Sequence, residues 1–191
     1  MRIAISSLSG CGNSTVSSLV ARKLRLSFIN YTFRNLAKDL KMPFARIQKE
    51  SLKTTRFDYE VDRRQIAIID KTRNCVVGSR LAVWLDDKRL EDKIGVKAPP
   101  FDFKVWIYAP LKERAKRISG REKKPFSRVL EETLFRDEEN AQRYLSLYGL
   151  KVEEFPRAVD LTVNTERFSA EQVAELIIAA AKKARTFRRK A

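Results

Sequence analysis

The sequence predicts a three-layer α/β fold, a parallel sheet of about five strands with helices on both faces and a helical insertion. Short β-branched runs alternate with longer segments of helical periodicity across 191 residues, a length that suits one domain. The first run passes through a loop of small residues directly into an amphipathic helix. Helical periodicity alone fills the stretch between the second run and the third.

Ile3-Ala4-Ile5 forms the first strand, and Val16, Leu19, Val20 and Leu24 make one apolar stripe on a helix from Asn13 to Leu24. Ser27 to Tyr31 reads as the second strand. The stripe Phe33, Leu36, Ala37 and Leu40 follows and stops before Met42-Pro43. Helical segments near Ala45 to Thr54 and Asp58 to Asp70 complete an insertion over residues 32–73. Asn74 to Ser79, Phe103 to Ala109 and Asp160 to Thr165 have the short, turn-bounded look of buried parallel strands. Between them, Leu111, Ala115 and Ile118 mark a helix, and Leu130, Leu134, Ala141, Leu145 and Tyr148 read as the apolar stripe of a long one. Val173, Leu176, Ile177 and Ala180 mark the last helix. Ala98-Pro99-Pro100 reads as a loop, and Gly120 to Pro125 as a charged break between two helices.

The chain has no histidine, which excludes Ser-His-Asp hydrolases, Cys-His proteases and helical zinc-protease motifs. Two cysteines, Cys11 and Cys75, are too few for a disulfide framework or a four-cysteine zinc site. No run approaches about 18 uninterrupted apolar residues, and the first residues lack the regions of a signal peptide. A cytoplasmic protein without a membrane partner is expected. Net charge is +16, from 40 Lys plus Arg against 24 Asp plus Glu, and it predicts anionic partners: nucleotides, nucleic acid or acidic surfaces. Lys182, Lys183, Arg185, Arg188, Arg189 and Lys190 make a basic tail over residues 182–191. Its alternatives are a solvated end and a weak RNA contact.

The loop from Ser6 to Thr15 follows a strand and opens a helix, the setting in which G-x-x-x-x-G-K-[ST] surrounds a phosphate with backbone N–H groups. Gly12 and Ser14 fit this P-loop pattern, while Ser7 stands at the first glycine and Asn13 at the lysine. Ser9, Gly10, Cys11, Gly12, Asn13, Ser14 and Thr15 are therefore the candidate nucleotide-binding residues. The Ser14 hydroxyl is the candidate ligand of a Mg²⁺ ion bridging the nucleotide phosphates. Asn13 brings a hydrogen-bond donor but no charge, so charge for a transferring phosphoryl group must come from arginines elsewhere. Cys11 reads as a small residue in a tight turn.

Arg136, Asn140 and Arg143 lie at i, i+4 and i+7, with Asp137 beside them. The two arginines are about 10.5 Å apart along a helix, enough to touch both phosphate groups of a two-nucleotide site. Ordinary surface pairing with Asp137, Glu138 or Glu139 is the structural alternative. Arg80 follows the third strand, and C-terminal strand ends line the ligand crevice of open α/β sheets. Arg34 begins the insertion, Arg63 sits in Asp62-Arg63-Arg64, where internal pairing is the alternative, and Arg121 lies in the charged break.

Together these segments resemble the nucleoside monophosphate kinases, most closely cytidylate kinases of archaeal type, over nearly the whole chain. Beside the loop, the matching pieces are Phe33-Arg34-Asn35-Leu36-Ala37, Asp58-Tyr59-Glu60-Val61-Asp62-Arg63 and Val76-Val77-Gly78-Ser79-Arg80-Leu81-Ala82-Val83-Trp84. Ala109-Pro110-Leu111-Lys112-Glu113-Arg114-Ala115-Lys116-Arg117-Ile118 and Arg136-Asp137-Glu138-Glu139-Asn140-Ala141-Gln142-Arg143-Tyr144, with Tyr148-Gly149, complete them. The resemblance implies a single P-loop NTPase-type kinase domain over residues 1–191. In it the insertion clamps a monophosphate, and a lid over residues 119–128 closes on the phosphates. It assigns Arg34, Arg63 and Arg80 to the acceptor, Arg121, Arg136 and Arg143 to the transferring phosphates, and Asp137 to orienting that arginine pair.

Two positions depart from the family pattern. Archaeal-type members tolerate threonine where Asn13 replaces lysine, and Gly78 stands where the pattern has Asp or Glu. The expected activity is an ATP- and Mg²⁺-dependent transfer of the γ-phosphate to a pyrimidine monophosphate, CMP or dCMP, by a monomer acting on small nucleotides. The alternative is a catalytically weak or inactive P-loop protein that binds nucleotide or RNA as a scaffold.

Overall fold

The structure is a computed structural model and describes residues 1–188, with side chains as far as Ala184. Five parallel strands run in the order β2-β3-β1-β4-β5. They are β1 Arg2–Ser6, β2 Ser27–Ile29, β3 Cys75–Gly78, β4 Phe103–Tyr108 and β5 Leu161–Asn164. In register, Ile5 lies opposite Gly78 on one side and Val105 on the other, which brings the C-terminal ends of the three central strands to one edge.

Alternation along the strands divides the core into two layers. Ile3, Ile5, Val76, Val105 and Ile107 face α1 (Asn13–Leu24) and α8 (Ala170–Arg188), which bury Val16, Leu19, Val20, Val173 and Ile177. Ala4, Val77 and Trp106 face the other way, against α4 (Arg56–Lys71), α5 (Lys88–Ile94) and α7 (Phe126–Tyr148), with Phe155 packed edge-on against Trp106. The insertion between β2 and β3 consists of α2 (Phe33–Asp39), α3 (Phe44–Ser51) and α4, held by its own cluster of Leu36, Ala37, Ile47, Phe57 and Val61. Its first helix starts at a capping box, where the Thr32 N–H and hydroxyl both donate to Asn35 Oδ1.

Four sequence expectations differ from the structure. First, the stripe on α7 is displaced by about one residue, or 100° of turn. Leu134 and Leu145 are 48% and 50% exposed, while Val129, Thr133, Tyr144, Leu147 and Tyr148 are buried. Thr133 hides its polarity by donating its hydroxyl to the Val129 carbonyl, and the two tyrosines supply the apolar surface. Phe135 is also exposed beside Leu134. Second, Leu176 points outward from α8, where Val173, Ala174, Ile177 and Ala181 are buried.

Third, the charged break is shorter than Gly120 to Pro125. Helix α6 (Leu111–Glu122) carries Gly120 and Arg121, and only residues 123–125 separate it from α7. Lys123 ends α6 in the left-handed region with φ 53°. Fourth, α5 is a helix that periodicity did not reveal. Of the basic tail, Lys182 and Lys183 lie within α8, whereas residues 189–191 fall outside the described residues. Among the described residues, no helix is long and apolar enough to cross a membrane.

Candidate active site

The loop leaves β1 at buried Ser6, whose Oγ accepts from the Val83 N–H at 3.1 Å, and reaches α1 through two residues with positive φ. These are Gly10 (φ 84°) and Gly12 (φ 87°). Glycine is required at position 10 twice over, since a Cβ there would also lie 2.9 Å from both Cβ and O of Arg114. Gly12 gives α1 no side-chain cap, so the first-turn N–H groups at exposed Ser14 and Thr15 are free to face an anion. Two loop carbonyls are tied off on the other side: Ser9 O accepts from Arg114 Nη1 (3.1 Å) and Cys11 O from the Thr165 hydroxyl (3.2 Å). With these carbonyls engaged, the loop N–H groups are left to form an anion cradle.

Asn13 does not reach into this cradle. Its Nδ2 donates to the Ile5 carbonyl (3.0 Å), and its Oδ1 accepts from the Ser17 hydroxyl (2.9 Å), so the side chain lies against the strand ends. Gly78 makes room for this pair, because a Cβ at that position would be 2.6 Å from Ser17 Oγ and 2.9 Å from Asn13 Oδ1. The departures at positions 13 and 78 are therefore one packing arrangement. Cys11 is buried, and burial raises its thiol pKa against the opposing charge of Arg114; it is a filler of the turn.

The loop opens into a cleft of about 1690 Å³ whose far wall is the α2–α4 insertion and whose roof is α7. Five arginines (Arg80, Arg117, Arg121, Arg136 and Arg143) and two lysines line it against three carboxylates (Asp58, Asp62 and Glu139), which makes it a site for anions. Arg80 crosses the cleft, donating from Nη2 to Ser9 Oγ (2.8 Å) and from Nη1 to Asn140 Oδ1 (3.4 Å). The Arg136 side chain lines the cleft with no hydrogen-bond or ion-pair partner among the described residues. Arg121 is mostly exposed and pairs with Glu122 at 3.0 Å. Arg143 Nε donates to Asp58 Oδ1 (2.7 Å), and its Nη2 bonds Asp58 Oδ2 and the Ser51 carbonyl, joining the insertion to α7. That bond to Asp58 raises the Arg143 pKa.

A second link between the same helices runs from the Tyr148 hydroxyl to Asp62. Burial first, and then the nearby Asp58 charge, push Asp62 up to about 7, against the Tyr148 hydrogen bond, which lowers it. Tyr144, also buried under this wall, is raised to about 12.

The structure brings Ser9, Gly10, Gly12, Asn13, Ser14, Thr15, Arg80, Arg121, Arg136 and Arg143 to the cleft lining. It leaves four expected residues off that lining, of which Cys11 is the buried filler of the turn described above. Arg34 stacks its guanidinium over Phe44, 4.5 Å from the ring centroid. Arg63 donates to the Ile94 carbonyl (2.8 Å), tying α4 to α5. Asp137 faces Arg114 at 2.7 Å and not the two arginines it was expected to orient. Arg117 was missed by sequence reasoning; it lines the cleft and bonds Thr165 through Nη1 (3.0 Å) and Nη2 (2.7 Å). Its spacing from Arg114 and Arg121, on one face of α6, was the available signal.

A phosphate loop between the central strand and α1, in a β2-β3-β1-β4-β5 sheet with an arginine-lined cleft at the strand ends, defines the P-loop kinase class. Shikimate kinase from Aquifex aeolicus shares the fold, with a TM-score of 0.57 and 16% identity over 96% of its chain and 95% of this one. The chain belongs to the cytidylate kinase-like family, whose model matches residues 2–167. It is 36% identical to cytidylate kinase 2 of Borrelia garinii subsp. bavariensis over 93% of this chain and 94% of that protein. It is 31% identical to the cytidylate kinase of Methanocaldococcus jannaschii over 94% and 97%.

Proposed function

We propose that this chain transfers the γ-phosphate of ATP to a pyrimidine nucleoside monophosphate, CMP or dCMP, with Mg²⁺ as the accompanying ion. One observation carries the reading: the amide cradle, the free N-terminus of α1, Arg80 and Arg136 all open into a single cleft whose opposite wall is the helical insertion. The choice of a cytidine acceptor rests on the names of the relatives.

In this mechanism the loop amides and the α1 N-terminus hold the donor's phosphate oxygens. Among the described residues, no group of three or more carboxylates or cysteines is placed to hold a metal by itself. An ion carried on the nucleotide phosphates and touched by the exposed Ser14 hydroxyl fits that setting, since Mg²⁺ favours phosphate and water ligands. When bound it supplies charge neutralisation between the phosphates. Arg136 and Arg80 then take the part that a loop lysine plays elsewhere, placing positive charge on the phosphoryl group in transit. The acceptor phosphate is itself the nucleophile and is ionised near neutral pH, so the absence of histidine removes nothing the reaction needs.

The second reading, a nucleotide-binding scaffold, is favoured by Asn13, which is folded away from the cradle. Incubation of purified protein with ATP, Mg²⁺ and each of CMP, dCMP, UMP and AMP separates the two. ADP formation that depends on CMP or dCMP is expected. Its absence with all four acceptors sinks the kinase reading and leaves the scaffold.

A further inference from the structure

Behind the phosphate loop lies an ion pair that the chemistry above does not use. Arg114 on α6 is 5% exposed, and its guanidinium is divided among three partners. Nε donates to the Ala109 carbonyl (3.1 Å), Nη1 to the Ser9 carbonyl in the loop (3.1 Å), and Nη2 pairs with Asp137 Oδ2 on α7 (2.7 Å). The arginine stem also touches the loop, since Gly10 packs directly on its Cβ and carbonyl. Asp137 is the neighbour in sequence of Arg136, the cleft arginine whose side chain has no hydrogen-bond or ion-pair partner among the described residues. One guanidinium thus holds a carbonyl of the cradle at one end and the backbone turn that carries Arg136 at the other.

Stability gives a weak account of this arrangement. Desolvating two charges offsets most of their attraction, and apolar replacements of buried ion pairs are often neutral. Here the pair is also incompletely satisfied, because Asp137 Oδ1 is buried without a hydrogen-bond partner among the described residues. The geometry has a clearer use, since phosphoryl transfer depends on where donors sit relative to the moving phosphoryl group, and a misplacement of about 1 Å costs on the order of 10²-fold.

We propose that Arg114 and Asp137 are positioning residues whose ion pair sets the phosphate loop and Arg136 at a fixed separation across the transferring phosphate. This rests on the kinase reading for its rate consequence and on the nucleotide-binding loop for its affinity consequence, and the two are measured separately. The principal variant is Arg114→Met/Asp137→Asn, which keeps the stem against Gly10, removes the bonds to Ala109, Ser9 and Asp137, and strands no buried charge.

Circular dichroism establishes the temperature at which the variant is folded, and kinetics and ADP titration are run there. The expected result is a kcat at least about tenfold lower with KM for CMP unchanged, together with ADP bound several-fold more weakly. A folded variant with both kcat and ADP affinity within twofold of the parent overturns the proposal. If the double variant does not fold, Asp137→Asn alone keeps one hydrogen bond from the charged Arg114 guanidinium, now to an amide oxygen. Loss of the charge is then expected to lower kcat about fivefold with KM for CMP unchanged, and an unchanged kcat overturns the proposal. Should the parent itself make no ADP with any monophosphate, the kinase reading falls, and ADP affinity alone decides the positioning role.

Discussion

A single methyl group at Gly78 tests the packing that joins the two atypical positions of the site. Gly78 ends β3 opposite Ile5, and a Cβ built there lies 2.6 Å from Ser17 Oγ, 2.7 Å from Ser17 Cβ and 2.9 Å from Asn13 Oδ1. Rotating the Ser17 hydroxyl relieves the first contact. It leaves the second, because Cβ is fixed by the backbone of α1 and Ser17 is fully buried. Either α1 or β3 must therefore shift, and overpacking of this kind costs about 1–3 kcal/mol. For a chain of this size each kcal/mol moves the melting temperature by about 2–4 °C, so Gly78→Ala is expected to melt roughly 2–12 °C lower. Thermal unfolding followed by circular dichroism reads this directly. Ser17→Gly/Gly78→Ala removes the two shortest contacts, and its loss should be smaller than the sum of the single losses, even though a helical glycine itself costs about 1 kcal/mol. A Gly78→Ala protein that melts with the parent refutes the steric reasoning. An Asp or Glu at this position would meet the same wall and add a charge against the Asn13 amide oxygen.

Asn13→Lys loses both hydrogen bonds of the Asn13 amide and should cost about 1–2 kcal/mol in a thermal melt. Because arginines already line the cleft, turnover should rise less than about tenfold; a gain on the order of 10²-fold would identify position 13 as the principal missing charge. Arg136→Ala is expected to lower turnover by about 10²–10³-fold with an unchanged melting temperature, whereas Arg143→Ala should lower both, since it strands Asp58. Equal melting losses in the two would contradict the difference in their partners. Asp62 holds its proton in the folded state up to about pH 7, well above its ordinary carboxylate value. The native state therefore binds more protons than the unfolded one across that window. Asp62 accordingly makes the protein less stable as pH rises from about 4 to 7, with a slope no steeper than about 1.36 kcal/mol per pH unit. Asp62→Asn should flatten the melting-temperature profile between pH 5 and pH 8, and an equally steep profile in the variant would place the titration elsewhere.

The strands and α1 were legible because each is buried on a simple face: Val16, Leu19 and Val20 sit where their spacing puts them. Helix α7 was misphased because it serves two surfaces. Its polar stripe of Arg136, Asn140 and Arg143 faces the cleft, and Tyr144 and Tyr148 bury aromatic area under polar tips, so counting aliphatic residues selected the solvent side. Helix α5 carried its signals in its caps, Asp87 accepting from the Arg89 N–H and Gly95 at φ 70°, which an apolar count overlooks. The loop glycines and Arg80 were readable from their places at strand ends. The partners of Asp137 and Asn13 were not, because Arg114 and Ile5 reach them through tertiary contacts that no local spacing encodes.

The exposed leucines of α7 have a bearing on how the protein behaves in a test tube. Leu134 and Leu145 stand three turns apart on one line of the helix, 48% and 50% exposed, with Phe135 beside them at 62%. At low ionic strength the net charge of +16 keeps neighbouring molecules from bringing these side chains together. At about 0.1 M salt the repulsion is confined to about 10 Å, short of the separation at which it deters approach. Salt, which weakens anion binding in the cleft, therefore also lowers the colloidal barrier around this helix, so titrations of ionic strength need light scattering beside the activity trace.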